Sequence, residues 1–241
     1  MSLSPPILLD WDTRFFGFPI ARLEARGLET AELEESLRWC RQRQVRCLYV
    51  LRERDDPVSE QSLQAIGSHP IDLRSTYTAT LSSALPHPAL AIRLAQTADV
   101  PRLKAVAAVA FTDSRFFMDP HFDRERCAAM YVTWIERSVH GGADLVLVEG
   151  PSGMPRASVS AHFLPDRAQI GLVCVAPEAR GIGLARALML GAMESALQRG
   201  LTRMEVVTQG RNLGARKLYE SLGFHLTRVQ CWHHLWLDEL N

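Results

Sequence analysis

Residues 180–185 have the composition of an anion-binding turn. The turn follows an apolar stretch and a proline. The residues of interest are Val173, Cys174 and Val175 in the stretch and Arg180, Gly181, Ile182, Gly183, Leu184 and Ala185 in the turn. Glycines let the backbone approach a ligand closely, and free N–H groups at the start of a helix attract phosphate. Arg186 replaces the third glycine of G-x-G-x-x-G, and no Gly-Lys-Ser/Thr follows, so two common nucleotide-binding motifs are disfavoured.

A second segment that can carry chemistry begins at Asn212. Tyr219 follows after almost two helical turns, so a helix places both side chains on one side. Ala215 lies between them and is small enough to leave space for a ligand beside the helix. A lone helical tyrosine is by default a packing residue, so its chemical role depends on the surrounding motif.

Together the two segments resemble the signature of the GCN5-related N-acetyltransferase (GNAT) superfamily. The motif Arg/Gln-x-x-Gly-x-Gly/Ala is met by residues 180–185. The motif Asn-x-x-Ala-x-x-Leu-Tyr-x-x-x-Gly-Phe is met by residues 212–224, and the expected strand, 203–208, lies between the two. The resemblance implies a GNAT fold of the α/β (α+β) class, with a central mixed twisted sheet flanked by helices.

The same resemblance implies that acetyl-CoA is the cosubstrate. In such proteins the amides of the turn hold the pyrophosphate, and the pantetheine lies between two splayed parallel strands, here those ending near Val175 and Val207. The edge of such a strand can bond to the pantetheine amides as an added strand would. Residues 173–175, residues 180–185, Asn212 and Ala215 are therefore expected to bind acetyl-CoA.

The resemblance also assigns proton-transfer roles. A phenol of pKa about 10 lies within roughly two units of an alkyl thiol of pKa about 8.5, so Tyr219 can act as the general acid for the departing thiolate. Many relatives carry a glutamate on the strand before the turn, but residues 157–163 contain no carboxylate. His162 is the candidate base, and a structural histidine is an equally good interpretation. Cys174 has no adjacent base and is interpreted as a buried thiol rather than a nucleophile.

A closer resemblance concerns the acceptor. Residues 11–18, 114–122 and 131–136 resemble GNAT enzymes that acetylate the 4-amino group of TDP-linked amino-dideoxy sugars. Arg115 could then pair with the diphosphate as a bidentate donor. The aromatic candidates that could cover a base or a sugar face are Phe116, Phe117, Phe122 and Tyr131. The alternative is that the phenylalanines close the core beneath a surface loop.

Two other functions remain open. A peptide, polyamine or antibiotic amine could be the acceptor, although a strongly cationic one would need more acids than Asp113 and Asp119 of the loop. A non-catalytic sensor would bind acetyl-CoA without turnover. The presence of both Tyr219 and Asn212 argues against the sensor.

The elements that position these residues divide into two predicted domains. Residues 1–85 form a small, incomplete GNAT-like α/β domain, and residues 86–241 form the acetyltransferase domain, with a proline-containing linker over 82–90. The N-terminal domain has predicted helices over 29–46 and near 59–67 and predicted strands over 47–52 and 76–81. The second has predicted helices over 123–139, 182–199 and 213–222, strands over 144–148, 157–163, 168–175 and 203–208, and a strand pair across 224–237.

Composition narrows the classes of partner. The 241 residues carry 27 basic and 27 acidic side chains, which removes a bulk electrostatic attraction to nucleic acid or an anionic membrane. No apolar run approaches the roughly 20 residues that span a bilayer, and the first residues do not resemble a signal peptide. The five cysteines form no C-x-x-C pair, and the His233-His234 doublet suits a metal poorly because strand neighbours face opposite ways. We therefore expect a reduced, cytoplasmic protein without a metal, and the resemblance alone implies a homodimer.

Overall fold

The computed structural model describes residues 5–82, 86 and 90–240. Its strands are β1 (Ile7–Leu8), β2 (Ile20–Ala25), β3 (Cys47–Glu53), β4 (Asp72–Thr80), β5 (Ile92–Leu94), β6 (Leu145–Glu149), β7 (Ala157–Phe163), β8 (Ala168–Val175), β9 (Arg203–Gln209) and β10 (His225–Trp236). Its helices are α1 (Asp10–Phe16), α2 (Thr30–Gln42), α3 (Pro57–Ala65), α4 (Val100–Ala110), α5 (Arg115–Met118), α6 (Arg124–Arg137), α7 (Leu184–Leu197) and α8 (Leu213–Ser221).

These strands form one mixed sheet in the order β1-β2-β3-β10-β4-β9-β8-β7-β6-β5. The pairs β2–β3 and β8–β9 are parallel, and the others are antiparallel. Each parallel pair is joined by a crossover helix, α2 in the first half and α7 in the second. The predicted mixed α/β sheet flanked by helices is therefore confirmed.

Strand β10 departs from the sequence prediction. A strand pair was predicted across 224–237, but the structure has one continuous strand of 12 residues that pairs with β3 on one side and β4 on the other. The segment contains no glycine, proline or asparagine that would favour a tight turn. A register shift between Leu226 and Arg228 bends the strand without ending it.

The sheet runs without a break through both predicted domains. Strand β4 lies before the predicted boundary at residue 85 and pairs with β9 from Arg74 opposite Gln209 to Thr80 opposite Arg203. Most of the predicted linker, residues 83–85 and 87–89, lies outside the described residues. The division at residue 85 stays a prediction about independent folding units.

Three apolar clusters hold the helices on the sheet. The largest joins α7 to the face of β7 and β8 that carries Val159 and Ala161, as the period-2 pattern predicts. A second lies between β2 and β3 and the helices α2 and α3. The third is aromatic and joins α1, α5 and α6 to β3 and β10. The acceptor-side residues predicted from the sequence lie in and beside this third cluster.

Candidate functional site

Strands β8 and β9 separate soon after they begin. They are paired only at Ala168 with Met204 and at Gln169 with Glu205. Beyond these positions β8 remains paired with β7 up to Val175, and β9 remains paired with β4 up to Gln209. Two unpaired backbone edges therefore face each other across a wedge. An extended chain that carries amide groups can bond to such edges.

A β-bulge marks the point where the wedge begins. Gly171 and Leu172 of β8 together oppose the single residue Ser160 of β7. The Leu172 N–H donates a hydrogen bond to Ser160 Oγ, at 2.8 Å. A Cβ at Gly171 would lie 2.7 Å from that same hydroxyl oxygen, so a larger residue there would displace the hydroxyl. Bulges of this kind redirect backbone groups and are common beside active sites.

The glycine turn presents a row of unbonded N–H groups. Gly181 and Gly183 have φ of 82° and 87°, a conformation that glycine adopts without strain. No side chain caps α7, and among the described residues the N–H groups of residues 181–186 have no acceptor before Ala187 bonds to Gly183. Donors that converge at the start of a helix suit a phosphate group. The turn therefore fits the pyrophosphate-binding role expected from the sequence.

Helix α8 carries the second motif. Asn212 is its N-cap, and its Oδ1 accepts a hydrogen bond from the Ala215 N–H at 3.1 Å. Tyr219 is buried, with its ring 6.0 Å from those of Tyr77 and Phe224. Burial raises the pKa of Tyr219 well above its usual value, and no hydrogen bond or charge opposes that rise. Apolar residues of β8 and β9, among them Cys174 and Val206, belong to the same core cluster as Tyr219.

A cavity of about 190 Å³ lies between the aromatic cluster and the carboxyl end of β9. Its lining residues are Asp72, Arg74, Ser114, Arg115, Phe116, Tyr131, Trp134, Val207, Thr208, Gln209 and Trp232. Three predicted acceptor residues, Arg115, Phe116 and Tyr131, come together there. Burial raises the pKa of the Tyr131 phenol to about 12, so it is a neutral hydrogen-bonding group at physiological pH.

Asp72 is the cavity carboxylate that sequence reasoning missed. It is 5% exposed and stands at the start of β4, opposite Trp232 of β10. Burial raises its pKa to about 6, against the opposing effects of the Arg211 guanidinium and the Leu73 N–H. The sequence contained a pattern that could have identified Asp72. Asp72, Arg74 and Thr76 lie two residues apart and so share one face of β4, whose start was predicted at residue 76.

Arg115 lies against three aromatic rings. Its guanidinium carbon is 4.1 Å from the ring centre of Tyr49 and 4.2 Å from those of Phe116 and Trp232. Its Nη1 donates to His234 Nε2 at 2.5 Å, and His234 Nδ1 lies 2.6 Å from Asp119 Oδ2. Such stacking holds a guanidinium plane in place.

Other predicted residues lie outside the cavity. Phe122 is 2% exposed and packs on Phe116 within the aromatic cluster, and Phe117 is partly buried against the same cluster. His162 is half-buried near the end of β7, where its Nε2 would lie 3.5 Å from a Cβ at Gly171. It adjoins the bulge rather than the cavity.

The described residues contain buried thiols and no cluster of metal ligands. All five cysteines are free and buried. The Cys174 sulfur lies 3.1 Å from Ser158 Oγ, and burial raises its pKa. Within residues 5–82, 86 and 90–240, no group of three His, Cys, Asp or Glu side chains is arranged to hold a metal ion. Over the same part of the chain, the helices are too short or too polar to cross a membrane.

Comparison with protein families gives a match to the central and C-terminal parts of the chain. Residues 107–224 match the model described as the Acetyltransferase (GNAT) family. The matched segment contains β8, β9, the glycine turn and α8.

Two curated relatives resemble the chain in part. A dTDP-fucosamine acetyltransferase of Escherichia coli is 33% identical over 142 residues, which are 58% of this chain and 60% of the relative. The spore coat polysaccharide biosynthesis protein SpsD of Bacillus subtilis is 25% identical over 57% of this chain and 48% of its own length. The matches thus span less than two thirds of either relative.

A solved structure resembles nearly the whole chain. The GCN5-related N-acetyltransferase of Sphaerobacter thermophilus superposes with a TM-score of 0.68, covering 95% of this chain and 75% of that one at 20% identity. At this identity the likeness establishes the fold. The GNAT fold expected from the two motifs is confirmed.

Proposed function

We propose, from the match of residues 107–224 to the GNAT family, that the protein transfers the acetyl group of acetyl-CoA to a primary amine. The observation that carries the proposal is the wedge between β8 and β9, which opens beside a bulge and next to the glycine turn. Acetyl-CoA, when bound, supplies the acetyl thioester. The unbonded N–H groups of residues 181–186 would hold its pyrophosphate.

The acceptor proposed here is the 4-amino group of a TDP-linked amino-dideoxy sugar. The relative from Escherichia coli is named for acetylation of dTDP-fucosamine, which supports a nucleotide-linked amino sugar. The cavity offers Arg115 to an anion and Trp134 and Trp232 to an aromatic base. A carboxylate, Asp72, stands in the same cavity to receive the amine.

Asp72 is proposed as the general base. An amine must lose its proton before it can form an amide, and a carboxylate of pKa about 6 is ionised at neutral pH while remaining a useful proton acceptor. His162 was the base predicted from the sequence, but it adjoins the bulge and does not line the cavity. Asp72 therefore has the better position, and His162 is the alternative to be tested beside it.

Tyr219 is proposed as the residue that donates a hydrogen bond to the departing sulfur of CoA. Because burial raises the pKa of its phenol, complete proton transfer is less favourable than from a phenol of ordinary pKa, about 10. A neutral phenol still donates a hydrogen bond, and such a bond in a dry site stabilises developing negative charge on sulfur. Tyr219 is accordingly a hydrogen-bond donor first and a proton donor second.

The proposal is tested by turnover. Purified protein is mixed with acetyl-CoA and TDP-4-amino-4,6-dideoxygalactose, and the release of CoA thiol and the mass of the product are followed. We expect one thiol released for each acceptor that gains one acetyl group. Acetyl-CoA binding without turnover of this sugar would overturn the acceptor. Failure with peptide, polyamine and antibiotic amines as well would favour a sensor.

A further inference from the structure

Two arginines of the acceptor cavity have no carboxylate partner among the described residues. Arg74 donates to Gln230 Oε1 at 2.8 Å and to Thr76 Oγ1 at 3.3 Å. Arg115 donates only to His234 Nε2 among the described side chains. Both side chains line the same cavity, Arg74 from β4 and Arg115 from α5.

A partly buried guanidinium with no carboxylate in ion-pair contact is costly, because burial removes water that solvated the charge. Burial lowers the pKa of both arginines, which reflects that cost. The aromatic faces around Arg115 offset part of it, since a ring attracts a cation. A guanidinium has five N–H donors, so Arg115 keeps donors for a group that enters the cavity.

Asp119 and His234 fix the direction of the Arg115 guanidinium. Arginine only donates hydrogen bonds, so His234 Nε2 must accept and the proton of the neutral ring must be on Nδ1. That proton is donated to Asp119 Oδ2 at 2.6 Å, and the Trp236 indole donates to the same oxygen at 3.0 Å. The buried chain Asp119–His234–Arg115 thus ends at the cavity.

We propose that Arg74 and Arg115 form an anion subsite for the phosphate groups of a nucleoside-diphosphate acceptor, with Asp119 and His234 as positioning residues for Arg115. The inference rests on the proposed function and names the part of the acceptor that these residues recognise. Two separate cations suit two linked phosphates, and Trp134 and Trp232 border the same space. Bidentate donation from an arginine fork matches the geometry of a phosphate.

Calorimetry with TDP tests the subsite. The titrations are made with saturating CoA present, so that the glycine turn is filled and cannot bind the probe. We expect Arg115→Gln and Arg74→Gln each to weaken TDP binding at least tenfold, and Arg115→Lys to weaken it less. Arg43→Gln is the matched control. Arg43 also stacks on an aromatic ring, 4.2 Å from the centre of Trp39, but it does not line the cavity. Wild-type affinity in both cavity variants would overturn the subsite.

Steady-state kinetics test the positioning role. We expect His234→Ala to raise KM for the nucleotide-linked sugar at least tenfold with little change in kcat, and to leave KM for a phosphate-free amino sugar unchanged. We expect His234→Gln to restore much of the loss, because its amide oxygen can accept from Arg115. Equal changes for both acceptors would show that His234 has only a structural role and would overturn the positioning claim. Circular dichroism confirms that each variant is folded.

The two proposals fail in different ways. If the wild type acetylates no amine but the cavity variants lose TDP binding, the proposed function fails and the subsite stands. If the wild type acetylates nucleotide-linked and phosphate-free sugars with equal kcat/KM, and the variants do the same, the subsite fails and the function stands.

Discussion

Tyr219 and Asp72 have pKa values that are raised by the same cause, the loss of hydration on burial. The consequences differ for the two residues. A weaker acid such as the Tyr219 phenol is a poorer proton donor, whereas the conjugate base of a weaker acid, here the Asp72 carboxylate, is a stronger base. In the proposed mechanism the raised pKa makes the phenol a better hydrogen-bond donor than proton donor. As the proposed base, the carboxylate is made a better acceptor of the amine proton at neutral pH by the same rise in pKa.

We expect Tyr219→Phe to lower kcat by about 100-fold or more, within the range for loss of a hydrogen-bond donor to developing negative charge. KM for acetyl-CoA and the melting temperature should change little, because the Tyr219 hydroxyl has no hydrogen-bond partner among the described residues. Tyr77→Phe is the control. The Tyr77 hydroxyl bonds to Glu220 and Arg216, so this variant should lose stability and keep kcat. An unchanged kcat in Tyr219→Phe would remove Tyr219 from the mechanism.

We expect Asp72→Asn to change activity and stability in opposite directions. Its raised pKa means that the ionised form is less stable in the folded state than in the unfolded chain at neutral pH. The amide should therefore lower kcat/KM at least 100-fold and stabilise the fold by on the order of 2 kcal/mol at pH 7.5. Enzyme assays and thermal melts measure the two effects.

The pH profile completes this test. In the wild type, kcat/KM should fall as pH decreases through about 6, because Asp72 becomes protonated there. His162→Gln is the matched comparison and should keep both the activity and the acidic limb. Loss of the limb in that variant, with Asp72→Asn active, would return the base role to His162.

At the scale of elements, strands β7 and β8 were predicted at their observed bounds, because alternating and apolar runs there end at clear turn residues. The predicted start of β4 missed Asp72 and Arg74, because polar side chains on a strand resemble a loop when their partners are unknown. Those partners, Gln230 and Trp232, lie about 150 residues later in the chain. The cavity is built by such distant pairings, which no local pattern contains.

A substitution at the β8 bulge tests whether the bulge has a role in catalysis. Gly171→Ala would place a Cβ 2.7 Å from Ser160 Oγ, so that hydroxyl must rotate and lose its bond to the Leu172 N–H. We expect kcat to fall at least tenfold with a small loss of stability. Ser160→Ala removes the same hydrogen bond without the clash. If it left kcat unchanged while Gly171→Ala abolished folding, the bulge would have no special role in catalysis.

At the scale of the whole molecule, the two halves share one sheet. Residues 86–241 alone would lack β3 and β4, the partners of β10, and would leave β9 with a free edge. We expect this fragment to be insoluble because long unpaired strands aggregate. Coexpression with residues 1–85 should recover soluble protein, as gel filtration would show. A soluble fragment with full activity would favour two independent domains.

The lowered pKa values of the buried histidine pair predict a fold that loses stability in acid. Burial lowers the pKa of His233 to about 3 and that of His234 to about 4. Below about pH 6.5 the unfolded chain binds protons that these folded residues do not, so the stability present above that pH is progressively lost. The raised pKa of Asp72 offsets this in part.

We therefore expect the free energy of unfolding to fall by on the order of 2 kcal/mol for each histidine between pH 7 and pH 5. The variant His233→Gln should flatten this dependence, because glutamine can accept from Arg52, which now donates to His233 Nε2 at 3.3 Å. The exposed His140 provides the control through His140→Gln. Urea titrations at several pH values give the comparison, and equal slopes in all three proteins would contradict the prediction.

The place of β10 has a consequence for how the molecule is made. A ribosome synthesises β10 after the other described strands, yet β10 lies between β3 and β4 and joins them. In the nascent chain, the edges of β3 and β4 that pair with β10 therefore stay unpaired until about 150 more residues have emerged. Contacts of such sequence separation form slowly. A chaperone that covers strand edges during translation would raise the yield of native protein more than one that acts after release.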